Sequence, residues 1–146
     1  MNRIRAKIIK ITKSGAVALV KFESHKSSAN PNGDLANQTI ANPAIFSAIM
    51  LDFAENLTLG RECNVIFKES EVMIASVDSR ISARNRFLSR IVKIECDEIF
   101  ARIFLDFEGT QITALITKEA SLELNLKVGE IVLWFVKANE VMVEFK

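Results

Sequence analysis

The chain repeats itself, and a repeat restricts a sequence to folds in which one supersecondary unit is built twice. Shifted by 83 positions, Asn2-Arg3-Ile4-Arg5-Ala6-Lys7-Ile8-Ile9-Lys10-Ile11 falls on Asn85-Arg86-Phe87-Leu88-Ser89-Arg90-Ile91-Val92-Lys93-Ile94, with five of ten positions identical. Shifted by 69, Asn56-Leu57-Thr58-Leu59-Gly60 falls on Asn125-Leu126-Lys127-Val128-Gly129. At the same offset Lys68-Glu69-Ser70-Glu71-Val72-Met73 falls on Lys137-Ala138-Asn139-Glu140-Val141-Met142, and seven positions agree between Asn56 and Met73. The offsets differ by fourteen, so the first copy carries an insertion between its matching ends.

Composition locates that insertion. Residues 24–42 are polar and rich in turn formers, and both prolines, Pro31 and Pro43, fall in or just after them, which predicts a long surface loop. Ser76-Val77-Asp78-Ser79 is the natural joint. The chain thus divides into a first domain over 1–76, with the inserted loop, and a second over 80–146.

Within each copy the pattern is strand-like. Val17–Phe22, Phe100–Phe107, Ile112–Ile116, Ile131–Val136 and Val141–Phe145 are short runs rich in β-branched and aromatic residues. Gly15 and the Cys96-Asp97-Glu98 corner mark turns, Lys118–Leu124 has helical composition, and one short helix is expected per copy. The last two runs are expected to form a hairpin across Lys137–Glu140. The class is all-β with short helices: two tandem OB-like β-barrels.

Several functions are disfavoured at once. The one histidine, His25, lies in a loop-like stretch, and Cys63 and Cys96 form no CxxC pair. Zinc and Ser-His-Asp or Cys-His catalysis therefore lack their ligands and bases, and Cys63 reads as a small buried hydrophobe. No apolar run is long enough to span a bilayer, and no apolar core follows the N-terminal charges, so neither membrane insertion nor a secretory leader is expected. The expected location is the cytoplasm.

Nineteen basic and eighteen acidic side chains nearly cancel, which argues against a general nucleic-acid partner. The cations are nevertheless gathered. Arg3, Arg5, Lys7, Lys10 and Lys13 stand in residues 1–13, and Arg80, Arg84, Arg86, Arg90 and Lys93 in residues 80–93, without one acid in either stretch. Lys68 and Lys137 recur at the last turn of each copy. Such places are either the solvated face of a strand or an anion site. A single-strand nucleic-acid binder would interleave aromatics with the cations, and only Phe87 does so.

Ile81-Ser82-Ala83-Arg84-Asn85 and the strand after it resemble the start of the molybdate-binding Mop or TOBE domain, which opens with Ser-Ala-Arg-Asn. The resemblance continues through Ile112–Glu119 and Leu126–Gly129. It closes at Val136-Lys137-Ala138-Asn139-Glu140-Val141-Met142-Val143, where the family has a strand, a lysine, a short turn and Val-Met. By the repeat, the first copy is then a diverged domain of the same kind. The resemblance implies binding of a tetrahedral oxyanion, molybdate or tungstate, with no catalysis and no metal cation or organic cofactor. It places the oxyanion at Ser82, Ala83, Arg84, Lys137, Ala138 and Asn139, with Lys68, Ser70 and Thr117 as weaker candidates. Family sites use more than one copy, so a homo-oligomer is expected, serving storage, homeostasis or sensing, with molybdate uptake components as further candidate partners.

Two departures bear on that expectation. Where the family commonly has a serine after the hairpin lysine, this chain has Ala138 and, in the first copy, Glu69. The first copy also has no counterpart of Ser82-Ala83. The Lys137 site is therefore expected to be the stronger, and the alternative is an interaction module that keeps the fold without the ligand.

Overall fold

The computed structural model describes residues 1–25, 44–51 and 57–145. Most of the insertion expected at 24–42 lies outside these residues. So does the stretch where the first copy's short helix is expected.

The described residues form ten strands, in chain order β1 (Asn2–Ser14), β2 (Val17–Ser24), β3 (Ile45–Leu51), β4 (Glu62–Phe67), β5 (Met73–Ala75), β6 (Asn85–Cys96), β7 (Phe100–Phe107), β8 (Thr110–Thr117), β9 (Ile131–Val136) and β10 (Met142–Phe145). Among the described residues one helix, α1 (Lys118–Glu123), lies between β8 and β9, and single 3-10 turns cover Glu69–Glu71 and Ala138–Glu140. The strands make two curled, OB-like sheets of identical pattern, β10-β4-β1-β2-β3 and β5-β9-β6-β7-β8, with every pairing antiparallel.

The repeat reaches down to single residues. The β1–β2 register slips between Ile8 and Lys10, and the β6–β7 register slips between Ile91 and Lys93, 83 positions later. Such bulges bend the strand and leave a carbonyl off the ladder. Gly60 N–H donates to Ile8 O at 2.7 Å, and Gly129 N–H to Ile91 O at 2.8 Å. Both glycines hold positive φ, 83° and 94°, which explains why glycine stands at both places.

One sequence expectation is overturned. β9 and β10 do not form a hairpin: β10 pairs with β4 (Phe145 opposite Cys63), and β5 pairs with β9 (Met73 opposite Phe135). The reason is local geometry. Lys137 (φ −69°, ψ 147°) and Val141 (φ −92°, ψ 131°) flank their 3-10 turn in extended conformation, so the turn carries the chain onward instead of reversing it. Lys68 and Val72 do the same at the other turn. Each half of the sequence therefore gives its last strand to the other sheet.

Two buried asparagines fasten this exchange. Asn85 Nδ2 donates to Ser47 O (2.8 Å), and Ser47 N–H donates to Asn85 Oδ1 (2.6 Å). Asn2 repeats this with Thr113 (2.9 and 2.8 Å). Each side-chain amide acts as a short piece of strand, satisfying the edge of the opposite sheet at β3 or β8. The core is continuous across both sheets. Phe46 and Phe67 of the first sheet meet Phe87, Phe107 and Trp134 of the second, with ring centroids 4.6–5.8 Å apart. The buried indole Nε1–H of Trp134 donates to Ser89 Oγ at 2.9 Å.

Asn85→Ala should lower the unfolding free energy by about 2–6 kcal/mol, because it strands a buried N–H and a buried C=O of Ser47 at about 1–3 kcal/mol each. Urea titration measures this, and a loss below about 1 kcal/mol would contradict the clamp. The cysteines give a second test. Cys63 is buried and burial pushes its thiol up to about 11, whereas Cys96 is exposed. A thiol-specific disulfide reagent near neutral pH should label one cysteine in the folded protein and two in denaturant.

Candidate functional site

Ladder register builds the site. Asn85 stands opposite Val136 at the end of the β6–β9 ladder, so the next residues out, Arg84 and Lys137, leave the sheet side by side. Two neighbouring cations repel unless something negative lies between them. The Asn85–Ser47 clamp brings up β3, whose Ile49 supplies the third wall. The result is a cavity of about 210 Å³ lined by Ile49, Ser82, Ala83, Arg84, Lys137, Ala138 and Asn139. Among the described residues no carboxylate is in the lining. The volume exceeds that of several water molecules, at about 30 Å³ each, which leaves room for a small polyatomic ion.

The donors differ in commitment. The Arg84 guanidinium folds back on its own loop, with Nε donating to Ser82 O and Nη2 to Ile81 O, both at 3.2 Å. It therefore shapes the loop while holding its charge at the rim. Lys137 and Ser82 are exposed, and among the described residues neither side chain is engaged in a hydrogen bond or ion pair.

Six of the nine residues expected from the sequence thus meet in one cavity, and three lie elsewhere. Lys68 and Ser70 sit at the other 3-10 turn, packed against β8. The Thr117 hydroxyl caps α1 by accepting the Ala120 N–H at 3.0 Å. The basic opening strands do not converge on the cavity, except through Arg84. Arg3 pairs with Glu144 (3.2 Å), Lys93 with Glu95 (2.7 Å), and Arg86 donates to Ser79 O (3.0 Å). These cations coat outward strand faces.

A second cavity, of about 300 Å³, is lined by Glu95, Cys96, Asp97, Phe100, Arg102 and Leu115. It suits an anion poorly. Lys93 beside Glu95 keeps that carboxyl below its usual range, and the Phe100 and Ile99 amides bonded to Asp97 do the same there, so both carboxylates stay charged.

Ile49 was not foreseen as a wall, because it belongs to the other half of the sequence. The asparagine clamps were missed as well, although Asn2 over Asn85 opens the alignment of the two copies.

Residues 81–143 match the family model described as the TOBE domain. No curated protein matches the sequence. The fold as a whole is similar to a crystal structure of the cytoplasmic molybdate-binding protein ModG with molybdate bound. That likeness has a TM-score of 0.81 and 24% identity, and covers 99% of this chain and 96% of that one. At this identity the likeness shows the fold. Among the described residues no helix is long and apolar enough to cross a membrane.

Proposed function

We propose that the protein binds a tetrahedral oxyanion, molybdate or tungstate, in the cavity between Arg84 and Lys137. One observation carries the reading: Lys137, Ser82 and Arg84 line a cavity of about 210 Å³ with no carboxylate among its described lining residues. A dianion leaving water needs that combination of charge and directed donors. The Lys137 ammonium neutralises it, Ser82 donates a hydroxyl hydrogen, and the backbone N–H groups of Ala83 and Arg84 supply direction. Ala138 and Asn139 complete the wall. Sulfate carries the same charge, so discrimination rests on cavity size. The similarity to a molybdate-bound protein supports this choice of ligand. The chain is then a pair of TOBE-like domains, the first diverged, acting in the cytoplasm in storage, homeostasis or sensing, alone or beside components of a molybdate uptake system. It makes and breaks no bond.

Calorimetric titration with molybdate, tungstate and sulfate tests the reading. The two metal oxyanions should bind and sulfate should bind far more weakly. Lys137→Ala should lose a charge-assisted bond worth about 1.5–3 kcal/mol, which is roughly 10- to 100-fold in affinity. Absence of heat with both metal oxyanions would remove the proposal.

Assembly of several copies is part of the same reading. Val17 opposite Leu51 and Leu19 opposite Ile49 make an exposed apolar strip on β2 and β3, and Ile49 also lines the cavity. A second copy seated there would cover the ligand. The interaction-module alternative draws on the same strip and expects assembly without oxyanion binding. Light scattering on wild type and Leu51→Lys should show an oligomer and its weakening. A monomeric wild type would exclude shared sites.

A further inference from the structure

We propose that Glu69 is a resident anion. Its carboxylate occupies, at the first turn, the place that a soluble oxyanion takes at the Lys137 turn, and so keeps a second site closed. The inference rests on the oxyanion reading of the Lys137 cavity. It starts from register. Asn2 stands opposite Phe67 as Asn85 stands opposite Val136, so Met1 and Lys68 leave their ladder side by side as Arg84 and Lys137 do. The 3-10 turn Glu69–Glu71 packs on β8, and the turn Ala138–Glu140 packs on β3. The walls correspond as well, since Leu115 of β8 pairs with Arg102 as Ile49 of β3 pairs with Leu19.

At this second place the chain is charged where the first is neutral. Glu69 replaces Ala138, and Arg102 replaces Leu19. Glu69 Oε1 lies 3.6 Å from Arg102 Nε, and Oε2 lies 3.4 Å from the Met1 amino group. One carboxylate thus sits between two cations, with Lys68 next to it in sequence. Both partners are partly exposed, at 30% and 49%, so the pair adds little to stability. Its consequence is electrostatic exclusion. An incoming dianion would meet a fixed negative charge at contact distance and would find the cations already paired.

Removing the carboxylate should therefore open a site. Glu69→Ala puts an alanine at the position matching Ala138, with Glu95 still opposite Arg102, and is expected to add one molybdate or tungstate site per chain, weaker than the Lys137 site, in calorimetric titration. In a Lys137→Ala background, where the first cavity is weakened, Glu69→Ala should still raise the number of sites by one per chain. Further change of Arg102→Ala should abolish that added site. Glu69→Gln keeps the side-chain shape and serves if the alanine variant fails to fold; it too should bind, more weakly. Circular dichroism establishes that each variant is folded. If wild type binds neither oxyanion, the oxyanion reading fails. If wild type binds and the folded Glu69 variants show no added site, the resident-anion inference alone is overturned.

Discussion

Neither sheet is complete until the other half of the chain supplies its last strand. Everything else in the molecule depends on that exchange. A hairpin between β9 and β10 would have been the cheaper contact in chain entropy, because it closes only a short loop. The extended flanks of the Ala138–Glu140 turn exclude it, so β10 crosses to β4 and β5 crosses to β9. The asparagine clamps then tie β3 to β6 and β8 to β1 through buried amides. The long-range pairing delays folding, since loop closure comes before the contacts that reward it. In return the two halves share a single core.

The cavity is a by-product of the same crossing. A turn that reversed would have kept Lys137 over its own sheet. A turn that advances instead projects it past the ladder end, beside Arg84 and against a strand of the other half. The two turns share backbone geometry, yet the Lys137 turn leads to a cavity with no acid among its described lining residues. Symmetry of backbone and asymmetry of side chains are common in duplicated chains, because main-chain hydrogen bonds constrain both copies while exposed side chains drift independently. The core shows the same divergence. Phe87, Phe107 and Trp134 in the second half stand where the first has Ile4, Ser24 and Val65.

Much of this was legible in the sequence, and the part that was not has a physical cause. The strands β7, β8 and β9 and the helix α1 fall where period-two alternation and composition place them, because local patterning decides them. The turn lysine and the Ser82-Ala83-Arg84 lead-in could be named because ladder ends are where a chain exposes donors. Which strand pairs with which is not local. The residues of β10 alternate equally well against β9 or β4, and only the turn dihedrals choose. For the same reason Ile49 was invisible as a cavity wall, and the identity of Asn2 with Asn85 could be seen but not explained. The basic opening strands misled in a different way. Charge runs carry no information about facing, and alternation sends most of these cations outward to Glu144, Glu95 and backbone carbonyls.

Because the cavity exists only in the exchanged arrangement, any anion held there is linked to it. A ligand that binds the folded chain and not the unfolded one adds RT ln(1 + [L]/Kd) to stability, about 2.7 kcal/mol at a hundredfold excess over Kd. On the proposed reading the anion supplies negative charge between Arg84 and Lys137, which line the cavity together. Glu69 performs the same service permanently at the other turn, where its carboxylate lies between Met1 and Arg102. On the proposed reading one half of the chain carries its counter-charge in the sequence, and the other half draws it from solution. The near-zero net charge of the whole follows from neither. It is the sum of outward strand cations balanced by surface acids, and it conceals the Lys137 turn, where among the described residues the ammonium has no ion-pair partner.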